Sequence, residues 1–471
     1  MTAGDDAPPL EAEASEQPPR RPPTIWWVIS PLAVMGAGLL GFVLYSNHTP
    51  AAKRGIPASF PPIYGRYQPA FSAWGIVACA VAVVVAGTVF YLARAKHYRA
   101  ALIVPVAVAI VFSFGASLAI VNGNPNEFVS PLKRTTAYYG DYQADAHLVR
   151  EMGVRRFIEQ FPTLLKKEGT FIAVHSRTHP PGSEVLLSIL QSWFPKHLIP
   201  RALIIAFLSS LVMIPTWFIA RAVAGERAAL IAVSLLAVAP APGVFIFLNI
   251  DALHATLLAG SAALLTWGLT KKESHWIVML LGGMLLGFTS FFSYQVTFVA
   301  GFAVLYAFFA RPWRDALKLL VIAGIGGLLA LVIMRVAIGF NFLACFNEAR
   351  RIFPHLKRVH SYWFVGDPAA WLIFAGLPIA ALGVRELIEK RPAWLLTFLT
   401  PLVLADLTTM ILGETERVGQ FAAPFLAAAA GAALVRWERE SGRDRTSVIA
   451  LLVLLTAAEA IVIQSLFWTV W

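Results

Sequence analysis

Long apolar runs separated by short polar turns set the pattern of this chain. The runs fall at about 25–46, 71–94, 100–121, 200–221, 225–241, 246–270, 275–293, 295–310, 315–337, 367–384, 392–411, 418–436 and 446–469. Most approach the ~20 residues that a helix needs to cross a hydrocarbon core of roughly 30 Å. Two polar intervals interrupt the series, at 122–199 and 338–366. The first has its own periodicity. Between Asp145 and Phe161, apolar Ala146, Val149, Met152, Phe157, Ile158 and Phe161 recur at three- and four-residue steps, with Arg150, Glu151, Arg155 and Arg156 between them. That spacing predicts an amphipathic helix lying in the membrane interface. Pro180-Pro181-Gly182 must break it, and a short helix then starts at Ser183 or Glu184 and runs through Leu190. The fold class expected is an all-α polytopic membrane bundle of about 13 transmembrane helices, with a large outer loop bearing short amphipathic helices.

Composition agrees. Of 471 residues, 58% are hydrophobic and 14% charged, against roughly 25% charged in soluble domains. The net charge of +11 would point to nucleic acid on a soluble protein. Here the basic residues sit in short turns, at Arg94 to Arg99, Arg221 to Arg227, Lys271-Lys272, Arg311 to Lys318, Arg385 to Arg391 and Arg436 to Arg445. Topology and anionic lipid account for them, and nucleic acid is not an expected partner. With these turns in the cytoplasm, the opposite short turns carry only Arg417, and both long loops lie outside. Cys79 and Cys345 form no CxxC and imply no disulfide framework. Residues 1–24, rich in Pro, Ala and Glu, read as a disordered cytoplasmic tail.

Polar residues capable of chemistry converge on the outer face. Asp141 and Asp145, four residues apart, share a face if helical; one can act as general base while the other orients it or holds a metal. In Thr178-His179-Pro180-Pro181-Gly182 the prolines fix the backbone and hold His179 in place, as catalytic group or as part of a structural turn. Asp251 and His254 lie three apart on an apolar helix, where an ionisable residue marks either function or an interhelical hydrogen bond. Tyr294 reaches the same face. Arg350, Arg351, Lys357 and Arg358, with His360, line the second outer loop and suit either phosphate or anionic headgroups. Arg417 stands beside Glu414 and Glu416, as an ion pair or a phosphate contact.

The order of these features resembles the GT-C superfamily of membrane glycosyltransferases, most closely the family 39 type that includes protein O-mannosyltransferases and lipid A aminoarabinose transferase. A span leads out to Asp141, an amphipathic stretch follows, then His179-Pro180-Pro181, then many helices with Asp251 after a proline-containing turn. The resemblance covers roughly residues 100–420. It implies Asp141 as catalytic base, with Asp145 and His179 beside it. It also implies a polyprenyl-phosphate-linked sugar donor whose phosphate meets Arg177, Asp251, His254, Tyr294, Arg350, Arg351, Lys357, Arg358 and Arg417. A glycan, lipid or protein hydroxyl is the acceptor, and transfer inverts the sugar. Tyr142 stands where many relatives have Glu, which leaves the second acid open, and a divalent cation such as Mg or Mn remains an open cofactor. The family's loop follows its first helix, whereas here it follows the third. The expected organisation is therefore a tail at 1–24, an N-terminal hairpin at 25–99, a catalytic core at 100–340 and a C-terminal part at 341–471. The expected location is the inner or plasma membrane with the site on the outer face. The rival expectation, a transporter or flippase of lipid-linked material, predicts midplane charge and repeats; this chain keeps its acids at one face and shows no repeat.

Overall fold

The structure, a computed structural model, describes residues 24–50, 53, 62–63, 66–67, 69, 74–94, 104, 107–112, 140–166, 172–195, 197–246, 249–270, 276–352, 358–408 and 413–468. Residues 1–23 and most of the run at 100–121 lie outside the described residues. Apart from a two-residue antiparallel pair, Arg66–Tyr67 with Phe467–Trp468, the regular elements among these residues are helices.

Among the described residues, six helices are long and apolar enough to cross a membrane: Trp26–His48, Ile199–Ala224, Asp251–Thr270, Trp313–Ile338, Thr415–Ser441 and Thr446–Leu466. His360–Ala375 and Leu377–Lys390, bent by 117°, make a seventh if counted as one span. Three shorter apolar helices, Trp276–Thr289, Val296–Ala310 and Ala393–Leu407, accompany them. The expected thirteen are not all represented among the described residues: most of the run at 100–121 lies outside them, and other apolar runs fold as short or broken pieces. The run at 225–241 becomes the 12-residue helix Glu226–Ala237, ten of whose residues are buried. The bend at Gly376 occurs where its φ is +95°, and Glu459 caps the new helix by accepting the Leu377 N–H at 2.6 Å.

The bundle packs around Trp217, Leu230, Phe302, Phe398, Phe425 and Trp437. Trp276–Thr289 and Trp313–Ile338 touch backbone to backbone, and a Cβ on Gly283 would stand 1.9 Å from the Ala323 carbonyl oxygen. Small residues permit such approach where no hydrophobic effect drives helices together. Of the two helices expected as a hairpin, Trp26–His48 packs on Leu377–Lys390, and Trp74–Arg94 packs on Thr446–Leu466.

The two ends of the bundle differ chemically. At one end Arg227 forks onto Glu438, and Arg436 pairs with Glu386 and Glu389 at 2.7 Å each. Trp27 stacks on Trp437 at 5.7 Å, with the Arg385 guanidinium 4.0 Å above its ring. The basic turns at 221–227, 385–391 and 436–445 are thus drawn together. The other end carries the helices Gly140–Met152, Val154–Lys166, Val174–Thr178 and Gly182–Trp193 from the long polar interval. The amphipathic pattern is there, but Val154–Lys166 docks on protein. Phe157, Ile158, Phe161 and Leu165 bury against Phe291, Met334 and Phe340. An apolar stripe has the same periodicity whether lipid or protein covers it.

Candidate functional site

Asp251 opens the helix Asp251–Thr270, where Asn249 Oδ1 accepts its backbone N–H at 2.8 Å. This side-chain cap starts the helix at the carboxylate, and the helix dipole favours an acid there. His254 follows at i+3 on the same face, its Nδ1 3.2 Å from Asp251 Oδ1. Ser183 Oγ lies 2.9 Å from His254 Nε2 and fixes the ring from its other side.

His179 arrives from the long polar interval before the helix Ile199–Ala224. It ends the helix Val174–Thr178 with φ −128° and ψ 160°, the extended backbone that a following proline enforces. Pro180 and Pro181 then carry the chain to Gly182, whose N–H donates to the Phe291 carbonyl at 2.9 Å. A Cβ at Gly182 would stand 2.4 Å from that oxygen, so only glycine fits. This docking sets His179 Nε2 3.9 Å from Asp251 Oδ1. Thr178 Oγ1 lies 3.2 Å from His179 Nδ1. The Tyr142 ring meets His179 edge-on at 5.7 Å.

Cations come from the opposite flank. Arg417 Nε stands 3.2 Å from Asp251 Oδ2. Arg417 also pairs with Glu414, whose second oxygen meets Arg358. Asp251, Arg417, Glu414 and Arg358 therefore alternate in sign along one partly to fully buried string. Desolvating an ion costs several kcal/mol, so each member requires its neighbour.

A second buried group backs the turn. Asp145 Oδ2 accepts the Ala173 N–H at 2.9 Å, tying the start of the helix Val174–Thr178 to the helix Gly140–Met152. Glu184, beside Ser176 and Asp145, is fully buried, and burial pushes its carboxyl up to about 8. Tyr294 packs on Phe342 and Phe346, with its hydroxyl held protonated by burial.

The remaining expected residues divide. Arg177 is half-buried one turn before the prolines. Arg350 and Arg351 are exposed on Phe342–Ile352, where Arg351 pairs with Glu348 at 3.1 Å. Arg358, in contrast, is joined to Arg417 through Glu414. Lys357 lies outside the described residues, as does the side chain of Asp141, whose backbone forms the first turn of Gly140–Met152. Glu414, expected from the sequence as an ion-pair partner of Arg417, is one, whereas Ser183, Glu184 and Asp367 border the cluster without a chemical role having been read for them from the sequence. Asp367 had a signal, a carboxylate within an apolar run.

His179, Asp251 and His254 offer three ligand atoms within 4.8 Å of one another. Both Asp251 carboxylate oxygens are buried without a well-aligned hydrogen bond among the described residues, with His254 Nδ1 3.2 Å from Oδ1 and Arg417 Nε 3.2 Å from Oδ2. An orphaned buried carboxylate oxygen facing two imidazoles fits a divalent cation. Two nitrogens and one oxygen suit Zn or Mn, whereas Mg takes oxygen ligands. Ser183 on His254 is the outer partner such a ligand needs.

Residues 178–339 match the family model described as dolichyl-phosphate-mannose-protein mannosyltransferase. The match begins one residue before His179 and takes in Glu184, Asp251, His254 and Tyr294. The GT-C resemblance read from the sequence thus falls on a stretch that this model recognises. Among solved structures, the Archaeoglobus fulgidus oligosaccharyltransferase in complex with Zn and sulfate is similar at 15% identity and a TM-score of 0.41, over 76% of this chain. The alignment covers 53% of that protein, about half its length. No curated protein matches the chain.

Proposed function

We propose that this chain is a membrane glycosyltransferase of the GT-C type. It passes a sugar from a polyprenyl-phosphate donor to a hydroxyl of a glycan, lipid or protein on the face that carries the 122–199 loop. The observation supporting this most strongly is the meeting of His179, Asp251 and His254 at one buried point inside the stretch matched by the mannosyltransferase family model.

Asp141 is the proposed base. It neighbours Tyr142, whose ring rests on His179, so its backbone starts the helix that borders the cluster. A general base there takes the acceptor proton while the hydroxyl attacks the sugar C1 in line, with inversion. Charge then develops on the leaving phosphate, and fixed guanidinium groups stabilise it without reorganising. Arg417 and Arg358, both paired with Glu414, are the guanidinium groups proposed for that role. His179 and His254 converge on Asp251, with Nε2 and Nδ1 respectively turned toward its Oδ1. A divalent cation on His179, Asp251 and His254 would supply Lewis-acid charge.

The test uses purified protein, a panel of polyprenyl-phosphate sugars, and release of polyprenyl phosphate as readout. Asp141→Asn should lower turnover by about 10²–10⁴-fold with donor binding retained. Near-normal turnover in that variant removes Asp141 as the base.

A further inference from the structure

Asp367 lies in the helix His360–Ala375, only 2% exposed. Both its carboxylate oxygens accept the Gly413 N–H, at 2.7 and 3.0 Å. Thr415 Oγ1 donates to the Asp367 backbone carbonyl at 2.8 Å and to Oδ1 at 3.2 Å. These contacts bracket one residue, Glu414.

Gly413 has φ +75° and Glu414 has φ +63°. Two successive left-handed residues make a sharp kink, and the second carries a Cβ that disfavours it. Such a conformation persists only where its surroundings over-determine it. Here the surroundings are a buried carboxylate on one side of Glu414 and a hydroxyl on the other. The kink makes the Glu414 carbonyl the start of the helix Thr415–Val418, accepting from Arg417 and Val418 N–H at 3.0 Å each. It also aims the Glu414 side chain between Arg358 and Arg417. Gly419 packs against Trp371 from the same helix as Asp367; a Cβ there would stand 3.2 Å from the indole.

We propose that Asp367 is the positioning residue of the site: by clamping Gly413 and Thr415 it fixes the Glu414 kink and so sets Arg417 against Asp251. It touches neither substrate nor reacting atoms, and acts through Glu414 and Arg417. The activity consequence rests on the glycosyltransferase reading; the structural consequence does not.

Asp367→Asn keeps the volume and turns one acceptor oxygen into an amino group. Hydrogen exchange on the full chain in detergent should then speed up at the amides of 413–418, with the rest of the bundle unchanged. Release of polyprenyl phosphate from a polyprenyl-phosphate sugar should fall by up to roughly 10²-fold, the cost of a small misplacement. Asp367→Asn added to Arg417→Gln should cost nothing beyond Arg417→Gln alone, since the two act in series. Thr415→Val removes only the hydroxyl contacts and should move the same readouts in the same direction, which keeps the test alive if Asp367→Asn fails to fold. Unchanged exchange at 413–418, or losses that add in the double variant, would overturn the assignment. If the wild-type chain releases no polyprenyl phosphate, the transferase reading fails, and the exchange measurement still decides the role of Asp367.

Discussion

Arg417 meets Asp251 with its Nε 3.2 Å from Oδ2, and both side chains are buried. Asp251 opens the helix Asp251–Thr270, where the macrodipole favours an acid. Arg417 lies in the single-turn helix Thr415–Val418 and is held there by Asp251 and Glu414. Burying a guanidinium is costly unless such partners compensate it.

This relation separates Arg417 from the other outer arginines. Breaking a buried ion pair by removing one partner costs about 3–5 kcal/mol, whereas an exposed pair is worth about 0–1 kcal/mol. Arg417→Gln should destabilise the protein strongly and reduce turnover. Arg351→Gln removes a side chain that is 73% exposed and paired to Glu348, and should leave the midpoint of thermal unfolding in detergent nearly unchanged. Equal shifts for the two variants would contradict the buried pairing of Arg417.

Much of this architecture is written in one-dimensional signals. Hydropathy runs locate the apolar helices because lipid tolerates only satisfied backbone. The His179-Pro180-Pro181-Gly182 turn is legible because proline and glycine restrict backbone locally. Asp251 and His254 are legible as ionisable residues in an apolar helix. What sequence does not carry is pairing over distance. Arg358 and Arg417 look alike to a charge count, as do Arg350 and Arg351, and only packing joins the first two through Glu414. Asp145 reads as a second catalytic acid by its spacing from Asp141, yet its Oδ2 is engaged by the Ala173 backbone. The amphipathic stripe of Val154–Lys166 predicts an apolar partner without saying whether that partner is lipid or Phe291 and Phe340.

Metal content tests the imidazole–carboxylate cluster. Two imidazoles and a carboxylate should select Zn or Mn over Mg. Equilibrium dialysis followed by elemental analysis should find Zn or Mn bound to wild type, with excess Mg failing to displace it. His254→Ala and His179→Ala should each lose the ion. Removing the orienting partner by Ser183→Ala should weaken binding by about 10–100-fold. Wild-type protein that retains no ion and resists EDTA would leave the cluster as an ion-pair network anchored by Arg417.

Glu184 gives the last prediction, on pH. Burial raises its carboxyl from the usual 4.5 to about 8 in the folded chain. Between those values the folded protein binds a proton that the unfolded chain has released. Stability therefore falls as pH rises through this window, by at most about 1.4 kcal/mol per pH unit. Below 4.5 both states are protonated, and above about 8 both are ionised, so this group adds no slope at either extreme. Glu184→Gln keeps a neutral, isosteric side chain in the same burial and cannot titrate. The difference in thermal midpoint between variant and wild type should then grow in the variant's favour from pH 5 to pH 8 and level off beyond. Taking the difference cancels the other titrating groups common to both proteins. Parallel pH profiles for the two would mean that Glu184 is ionised in the folded chain at neutral pH, and its placement beside Asp145 and Ser176 would have to be wrong.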